Sequence, residues 1–376
     1  MSAVPLAVTT LAIAGHIVIV RALLARTYEL GLPQRIWNAL FALHAVAGIG
    51  GAILIAVVIR RSWPHLYPAE MGYVALCVVA LLIGAAVLAM RSRLRESAQT
   101  AVRSAEHVNS CEALGTVPCG EGVVGQLARR LPGNEIFSVE FVRRELRVLR
   151  LPPALNGLSI LHLTDLHMNG TPDRSFFEWA CARAAEERPD LVAMTGDVID
   201  HLGVAAWLTT TLGRFPAIAP LGCYFVLGNH DLHVDGPAVR SAMEHIGWTH
   251  LAGRTVVKEL NGHALLLAGT ERPWAGADPP LTDAPRADLR ILLSHAPHLV
   301  HVARRQQVDL MLAGHLHGGQ VRWPLLGPLS GGKFHSGLFD VPPTLLHVGR
   351  GLGQMAMAPY RWRCPPEVTM LILRSA

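Results

Sequence analysis

Leu161-His162-Leu163-Thr164-Asp165-Leu166-His167, Val192-Ala193-Met194-Thr195-Gly196-Asp197 and Phe225-Val226-Leu227-Gly228-Asn229-His230-Asp231 share one pattern: a short apolar run that stops at Asp, His or Asn. The pattern returns at Leu292-Leu293-Ser294-His295 and at Met311-Leu312-Ala313-Gly314-His315-Leu316-His317. Runs this short and apolar read as buried strands rather than helices. Strand-like runs at 158–163, 191–195, 223–227, 264–269, 290–293, 310–313 and 345–348 alternate in part with helix-like ones at 174–187 and 298–307. The alternation argues an α/β layered domain, and no internal repeat of 20–50 residues competes with that reading. In such a domain the carboxyl ends of the strands are where a ligand site forms. Five strand ends carrying Asp, His and Asn can therefore converge on one place.

Those residue types limit what the place can hold. Asp, Asn and His offer oxygen and nitrogen donors without a thiolate, and alternate residues in D-x-H and H-x-H project from one side of an extended turn. The set suits Mn²⁺, Fe or Zn²⁺. Glycine beside Asp197, Asn229 and His315 permits the tight turns that push such side chains into a shared pocket. One D-x-H alone would mean little in a chain with 19 histidines. Five such motifs, each after a β-rich run, carry the argument.

With these motifs the sequence resembles the calcineurin-like metallophosphoesterase family. The family pattern D-x-H, G-D-x-x-D, G-N-H-D/E, H and G-H-x-H matches Asp165 to His167, Gly196 to Asp200, Gly228 to Asp231, His295, and Gly314 to His317. The resemblance runs from about Glu135 to the C-terminus. Gly318-Gly319-Gln320, Gly349-Arg350-Gly351-Leu352-Gly353 and Pro365-Pro366-Glu367 are similar to its membrane-associated bacterial branch, from which Leu316 departs where threonine is usual. The resemblance implies a β-sandwich flanked by α-helices and two divalent metal ions, manganese favoured. It assigns Asp165, His167 and His317 to one ion, Asn229, His295 and His315 to the other, and Asp197 to both. It also implies hydrolysis of a phosphodiester or pyrophosphate by a metal-bridging hydroxide. His230 is then the catalytic acid or transition-state stabiliser, with Asp231 orienting its imidazole. Asp200 is expected to serve as a turn or cap acceptor. Arg350, between glycines, is a candidate phosphate contact, with a structural salt bridge as the other reading. His162 and His347 are expected to be satisfied core histidines, and His201, His233, His298 and His301 to border the cleft.

The rest of the chain places that domain. Hydrophobic residues make up 51% and charged ones 16% of 376 residues, an apolar excess that excludes a disordered or collagen-like chain. The excess is N-terminal: 3–20, 36–59 and 71–90 contain no Asp, Glu, Lys or Arg. Each approaches or exceeds the roughly 20 residues that span a bilayer core. The expected organisation is a membrane region with three transmembrane helices over 1–96, a linker over 97–134 and the phosphoesterase domain over 135–376. Arg21, Arg26 and Arg35 in the first loop and Arg91, Arg93, Arg95 and Arg103 after the third span outnumber Arg60 and Arg61 in the second loop. That bias places the catalytic domain on the cytoplasmic side of the inner membrane. The six cysteines lack a C-x-x-C pattern and are expected as thiols, with Cys111 and Cys119 alone near enough in sequence to pair.

Membrane attachment points to a membrane-associated phosphorylated substrate. The branch resembled includes UDP-2,3-diacylglucosamine pyrophosphatases of lipid A biosynthesis, so a lipid-linked nucleotide is the first expectation. A general phosphodiesterase or phospholipid phosphatase is the enzyme alternative, and a non-catalytic membrane sensor of phosphorylated ligands is the reading from another class. A pI near 9.1 does not argue nucleic acid, because no aromatic stacking set accompanies it. No protein partner is expected.

Overall fold

The computed structural model describes residues 3–28, 30, 32, 34–94, 100–281, 284–323, 327–328, 333–354 and 358–375. It divides into two compact units, Met1–Glu96 with Arg322–Lys333, and Ser97–Val321 with Phe334–Ala376.

In the first unit the three apolar stretches form α1 (Ala3–Tyr28), α2 (Gln34–Ser62) and α3 (Pro68–Leu94), each long and apolar enough to cross a membrane. The first helix packs against both others. His16 of α1 is the polar point of that packing: Nε2 lies 3.0 Å from the Ala47 carbonyl oxygen of α2, and Nδ1 lies 2.7 Å from the Tyr73 hydroxyl of α3. A carbonyl only accepts, so Nε2 carries the proton and Nδ1 accepts from Tyr73. Both ring nitrogens are thus bonded, one to each neighbouring helix. His44 turns instead to its own helix, with Nδ1 2.6 Å from the Leu40 carbonyl oxygen.

The second unit runs β1 (Thr100–Asn109), α4 (Ser110–Leu114), α5 (Val123–Arg130), β2 (Ser138–Val148), β3 (Ser159–Leu163), α6 (Arg174–Ala185), β4 (Leu191–Thr195), α7 (Trp207–Thr211), β5 (Cys223–Val226), α8 (Asn229–His245) and β6 (Thr249–His250). It continues with β7 (Thr255–Leu260), β8 (His263–Thr270), β9 (Leu289–Ser294), α9 (Val300–Arg305) and β10 (Leu310–Ala313). After the pair β11 (Arg322–Trp323) and β12 (Gly327–Pro328), which belongs to the first unit, come β13 (Gly337–Val341), β14 (Thr344–Val348) and β15 (Glu367–Ser375).

Two sheets result, ordered β1-β2-β15-β3-β4-β5-β6 and β13-β14-β10-β9-β8-β7. Period-two alternation sets the layers. Along β3, Leu161 and Leu163 join the apolar cluster of α6 and α8, whereas Ile160 joins the cluster that binds the two sheets together. Along β10, Leu310 and Leu312 face the other sheet while Met311 and Ala313 meet α9. The domain is the β-sandwich flanked by helices that the resemblance implies. Strands β3, β4 and β5 run parallel in one sheet and β8, β9, β10 and β14 in the other, so their carboxyl ends gather in two parallel sets.

The linker expected over 97–134 is not one. Its described part supplies β1, which pairs antiparallel with β2 from Asn109↔Ser138 to Thr100↔Leu146, and helices α4 and α5. A strand at the sheet edge is exposed at Ser104 to His107 and so lacks the apolar alternation by which strands are recognised. Arg143, Arg144 and Arg147 lie on β2 and Arg150 in the turn after it; Arg143 pairs with Glu187 at 3.2 Å and Arg150 with Asp309 at 2.7 Å. All six cysteines are thiols.

His162 and His347 meet between the sheets, Nδ1 to Nδ1 at 2.9 Å, and His162 Nε2 lies 2.9 Å from Thr195 Oγ1. Both rings are buried, and burial lowers the His162 pKa from 6.5 to about 4. Over that interval the unfolded chain binds a proton that the folded protein does not, so this contribution to stability is complete above pH 6.5 and declines as pH falls toward 4. A shift of this size corresponds to about 3 kcal/mol. In denaturant melts of the detergent-solubilised protein from pH 7 to 4, His162→Gln is expected to give a shallower loss of stability than the wild type; equal slopes would refute the assignment.

Candidate metal centre

The strand ends make their turns in an unusual way. Asp165, His167, Asp197, His315 and His317 have φ of 49°, 43°, 54°, 74° and 47°, the left-handed region that L-residues with a Cβ seldom occupy. Such residues persist only where surrounding structure over-determines them, and they cluster at functional sites. Here the turns reverse the backbone immediately after each strand and send the side chains inward. Gly228 makes room for this: a Cβ there would collide with the Asp197 carboxylate.

Three groups of donor atoms result, each with all its atoms within 4.8 Å of one another: Asp165, His167 and His317; Asp197, His295 and His315; and His167, Asp197 and His230, which shares a member with each of the others. In the first, His167 Nε2 is 3.1 Å from His317 Nε2, and His317 Nε2 is 3.4 Å from Asp165 Oδ1. In the second, His315 Nδ1 is 3.2 Å from His295 Nε2, which is 3.0 Å from Asp197 Oδ2. The same Oδ2 lies 3.4 Å from His167 Nε2, so Asp197 stands between the groups. Asn229 opens α8 immediately before His230.

Hydrogen bonds behind these atoms fix their directions. His295 Nδ1 is 2.7 Å from the Thr195 carbonyl oxygen, to which it must donate, leaving Nε2 as the lone-pair donor aimed at the site. His167 Nδ1 is 2.7 Å from Asp200 Oδ1, which frees its Nε2 likewise. Asp165 accepts from Thr164 Oγ1 at 2.6 Å and from the His315 amide at 3.0 Å. These outer partners are the kind that orient metal ligands.

Asp200 has a larger part than a turn acceptor. Its Oδ1 also lies 3.1 Å from His230 Nδ1, and its Oδ2 accepts from Asn169 Nδ2 at 2.8 Å. Burial raises its carboxyl, but the His167 and His230 imidazoles outweigh this and hold it well below the usual carboxylate range. Asp231, expected to orient the His230 imidazole, does not. Its buried carboxylate accepts from the amides of Val198 at 2.8 Å, Ile199 at 3.2 Å and Gly228 at 3.0 Å, tying two of the strand-end turns together. Burial, then the charge of Asp197, pushes its pKa up to about 7. The His230 ring is the more open one, with 26% of its side chain exposed against 0% for His167 and His295.

Arg350 is likewise not aimed at a ligand. It is 7% exposed and paired with Glu140 and Glu367, the latter at 2.6 Å, so the salt-bridge reading is the one the geometry carries. The sequence reading missed Arg361, a fully buried guanidinium that donates to the carbonyl oxygens of Arg350 at 2.8 Å and Cys364 at 3.1 Å and lies 3.2 Å from His317 Nδ1. No motif announces it, because its role depends on a loop that returns from a distant part of the chain. His201 and His233 are exposed residues, and His298 is half-buried.

Buried carboxylates packed against facing imidazole nitrogens require positive charge. Burial disfavours protonating His167 and His295, yet Asp200 beside the first and Asp197 beside the second raise their pKa values to about 10 and about 9. Divalent cations supply the same charge at the same donors, and the all-O/N set fits Mn²⁺, Fe or Zn²⁺. The left-handed turns give a stability test independent of activity. On chelated protein, His315→Gly is expected to be more stable than His315→Ala by about 1 kcal/mol, because only glycine takes φ 74° without steric cost. Equal denaturation midpoints would show that the turn is unstrained.

A family model described as calcineurin-like phosphoesterase matches residues 158–319. The chain is 34% identical over 229 residues to the phosphodiesterase YaeI of Escherichia coli (strain K12), covering 57% of this chain and 81% of that protein. It is 27% identical over 372 residues to a transmembrane protein with metallophosphoesterase domain from Danio rerio, covering 92% and 82%. It is 24% identical over 286 residues to the UDP-2,3-diacylglucosamine pyrophosphatase LpxG of Chlamydia muridarum, covering 58% and 84%. With three candidate membrane helices ahead of this site, the chain belongs to the calcineurin-like phosphoesterase family of metal-dependent phosphoester hydrolases.

Proposed function

We propose that this protein is a multi-pass inner-membrane enzyme that hydrolyses a phosphodiester or pyrophosphate bond, with its catalytic domain in the cytoplasm. The observation that carries the reading is the position of Asp197 Oδ2, 3.4 Å from His167 Nε2 and 3.0 Å from His295 Nε2. Asp165, His167 and His317 would hold one divalent ion and Asn229, His295 and His315 a second, with the Asp197 carboxylate placed between the two groups. Bound ions supply an activated water and neutralise charge that builds on the phosphoryl oxygens. Manganese is the favoured metal.

The chain's own residues do the remaining work. His230 donates Nδ1–H to Asp200, which turns its Nε2 toward the phosphoryl group, where it protonates the leaving oxygen. Asp200 acts through two imidazoles at once, fixing the tautomer of a metal ligand and of the acid. The Arg bias around the membrane helices supports the cytoplasmic orientation.

For the substrate, we favour a lipid-linked nucleotide pyrophosphate such as UDP-2,3-diacylglucosamine. Membrane helices ahead of the site and the similarity to LpxG support it. The similarity to a phosphodiesterase supports the second reading, a general diesterase. Hydrolysis by the detergent-solubilised protein, chelated and then given Mn²⁺, tests both: preference for the lipid over an aryl diester assigns the first, and equal turnover assigns the second. No metal-dependent turnover of either substrate would reject the enzyme reading.

The roles predict separable defects. His230→Ala is expected to lower kcat by about 10²–10⁴-fold while two metal ions stay bound. Asp200→Asn is expected to lower kcat and also to weaken metal binding about 10–100-fold, because it loosens His167. Metal titration beside steady-state kinetics distinguishes the two, and unchanged metal affinity in Asp200→Asn would remove its outer-partner role.

A further inference from the structure

Trp274 is the one large aromatic side chain among the described residues whose ring meets the imidazoles of the second donor group. Its ring centroid lies 4.9 Å from that of His315 and 5.5 Å from that of His295, tilted 62° and 56° to them. The side chain is only half-buried. One side of it packs against the apolar cluster of α9, and the rest stays open beside the two imidazoles.

The segment carrying Trp274 is held in place rather than loosely laid down. Glu271, buried at its start, accepts from the Leu227 amide at 2.8 Å and pairs with His250 Nε2 at 2.7 Å. Its carbonyl oxygen accepts from the amides of Trp274 and Ala275, each at 3.1 Å. Four residues beyond Trp274, Asp278 binds Arg272 Nη1 at 2.7 Å and Thr270 Oγ1 at 3.3 Å. The Leu227 amide belongs to the strand end that delivers Asn229 and His230, so Glu271 ties that turn, through its carboxylate, to the Trp274 backbone, through its carbonyl. Such a wall is ordered before a ligand arrives, and a ring that stacks on it loses little additional freedom.

We propose that Trp274 is a specificity residue of the phosphoesterase site, the platform on which a planar aromatic group of the substrate stacks. The inference rests on the proposed hydrolase reading. A phosphoryl group lying against Asp197, His295 and His315 has the indole beside it, and an aromatic ring a few bonds from phosphorus reaches that face. The chemical class is a phosphoester that carries a nucleobase or aryl ring, in preference to one with only alkyl chains near phosphorus. A stacked base is held by its π-face, which every base has, so the platform selects aromaticity and not a base identity.

Competitive inhibition tests this on the full-length Mn²⁺-loaded enzyme turning over one common diester. The probes are methyl phosphate, cyclohexylmethyl phosphate, benzyl phosphate and adenosine 5′-monophosphate, compared in the wild type, Trp274→Phe and Trp274→Leu. The expected result is that benzyl phosphate binds about tenfold tighter than its saturated analogue in the wild type. That ratio is kept in Trp274→Phe and lost in Trp274→Leu. A further gain with adenosine 5′-monophosphate over benzyl phosphate would assign the ring to a nucleobase, and no gain would assign it to a short aryl ester. Equal Ki values for benzyl and cyclohexylmethyl phosphate in the wild type, or a ratio unchanged in Trp274→Leu, would overturn the platform while leaving the hydrolase intact. Loss of metal-dependent turnover in the wild type would overturn both.

Discussion

The structure depends on keeping three carboxylates, Asp165, Asp197 and Asp200, out of bulk water within one cluster of imidazoles. Burying like charges together is unfavourable unless opposite charge is supplied among them. The O/N donor set fits divalent cations, which would supply that charge at the Nε2 lone pairs of His167 and His295. Much nearby structure follows from this demand. Thr164 and the His315 amide satisfy Asp165, backbone amides satisfy Asp231, and the left-handed turns bring the donors into range.

A sandwich of two parallel-stranded regions suits that demand because each sheet contributes one side of the cluster. Asp165, Asp197 and His230 follow strands of one sheet, and His295, His315 and His317 follow strands of the other. Neither sheet alone completes the Asp165, His167 and His317 group or the Asp197, His295 and His315 group. Their relative position therefore matters to within the tolerance of a metal ligand, and the Leu- and Ile-rich interface between them sets it. The His162–His347 pair breaks that apolar interface at its polar end, and through Thr195 it connects to the carbonyl that orients His295. A buried polar contact in such a place costs stability relative to hydrocarbon but accepts only one relative placement of the strands.

Much of this was legible from the letters, and the misses share a cause. Apolar runs ending in Asp, His or Asn announced β3, β4, β5, β9 and β10 and the donors after them, because burial on both faces leaves a continuous apolar signature. Edge strand β1 has no such signature and read as a linker. Asp200 and Asp231 were exchanged for a related reason. Both follow a motif turn, and spacing alone does not say which of two carboxylates reaches an imidazole and which turns back to the amides. Arg350 stood between glycines, which suggested an open approach to phosphate, whereas Glu140 and Glu367 enclose it. Its partners are 210 and 17 residues away, and only the fold brings the farther one to it.

The three candidate membrane helices pose the same question. Three spans that only tethered the domain would need no polar group inside them, since lipid tails satisfy leucine as well as another helix does. His16 nevertheless sits in α1 at 6% exposure with both nitrogens bonded, one to each neighbouring helix. Gly51 of α2 leaves the space that the imidazole fills, because a Cβ there would strike it. In a bilayer core an imidazole is costly when its nitrogens lack partners, so α1 would be stable there chiefly where Ala47 and Tyr73 are both within reach. That requirement selects one arrangement of three helices over independent spans. The N-terminal region is therefore better understood as a packed helical unit with its own specificity than as an apolar tether.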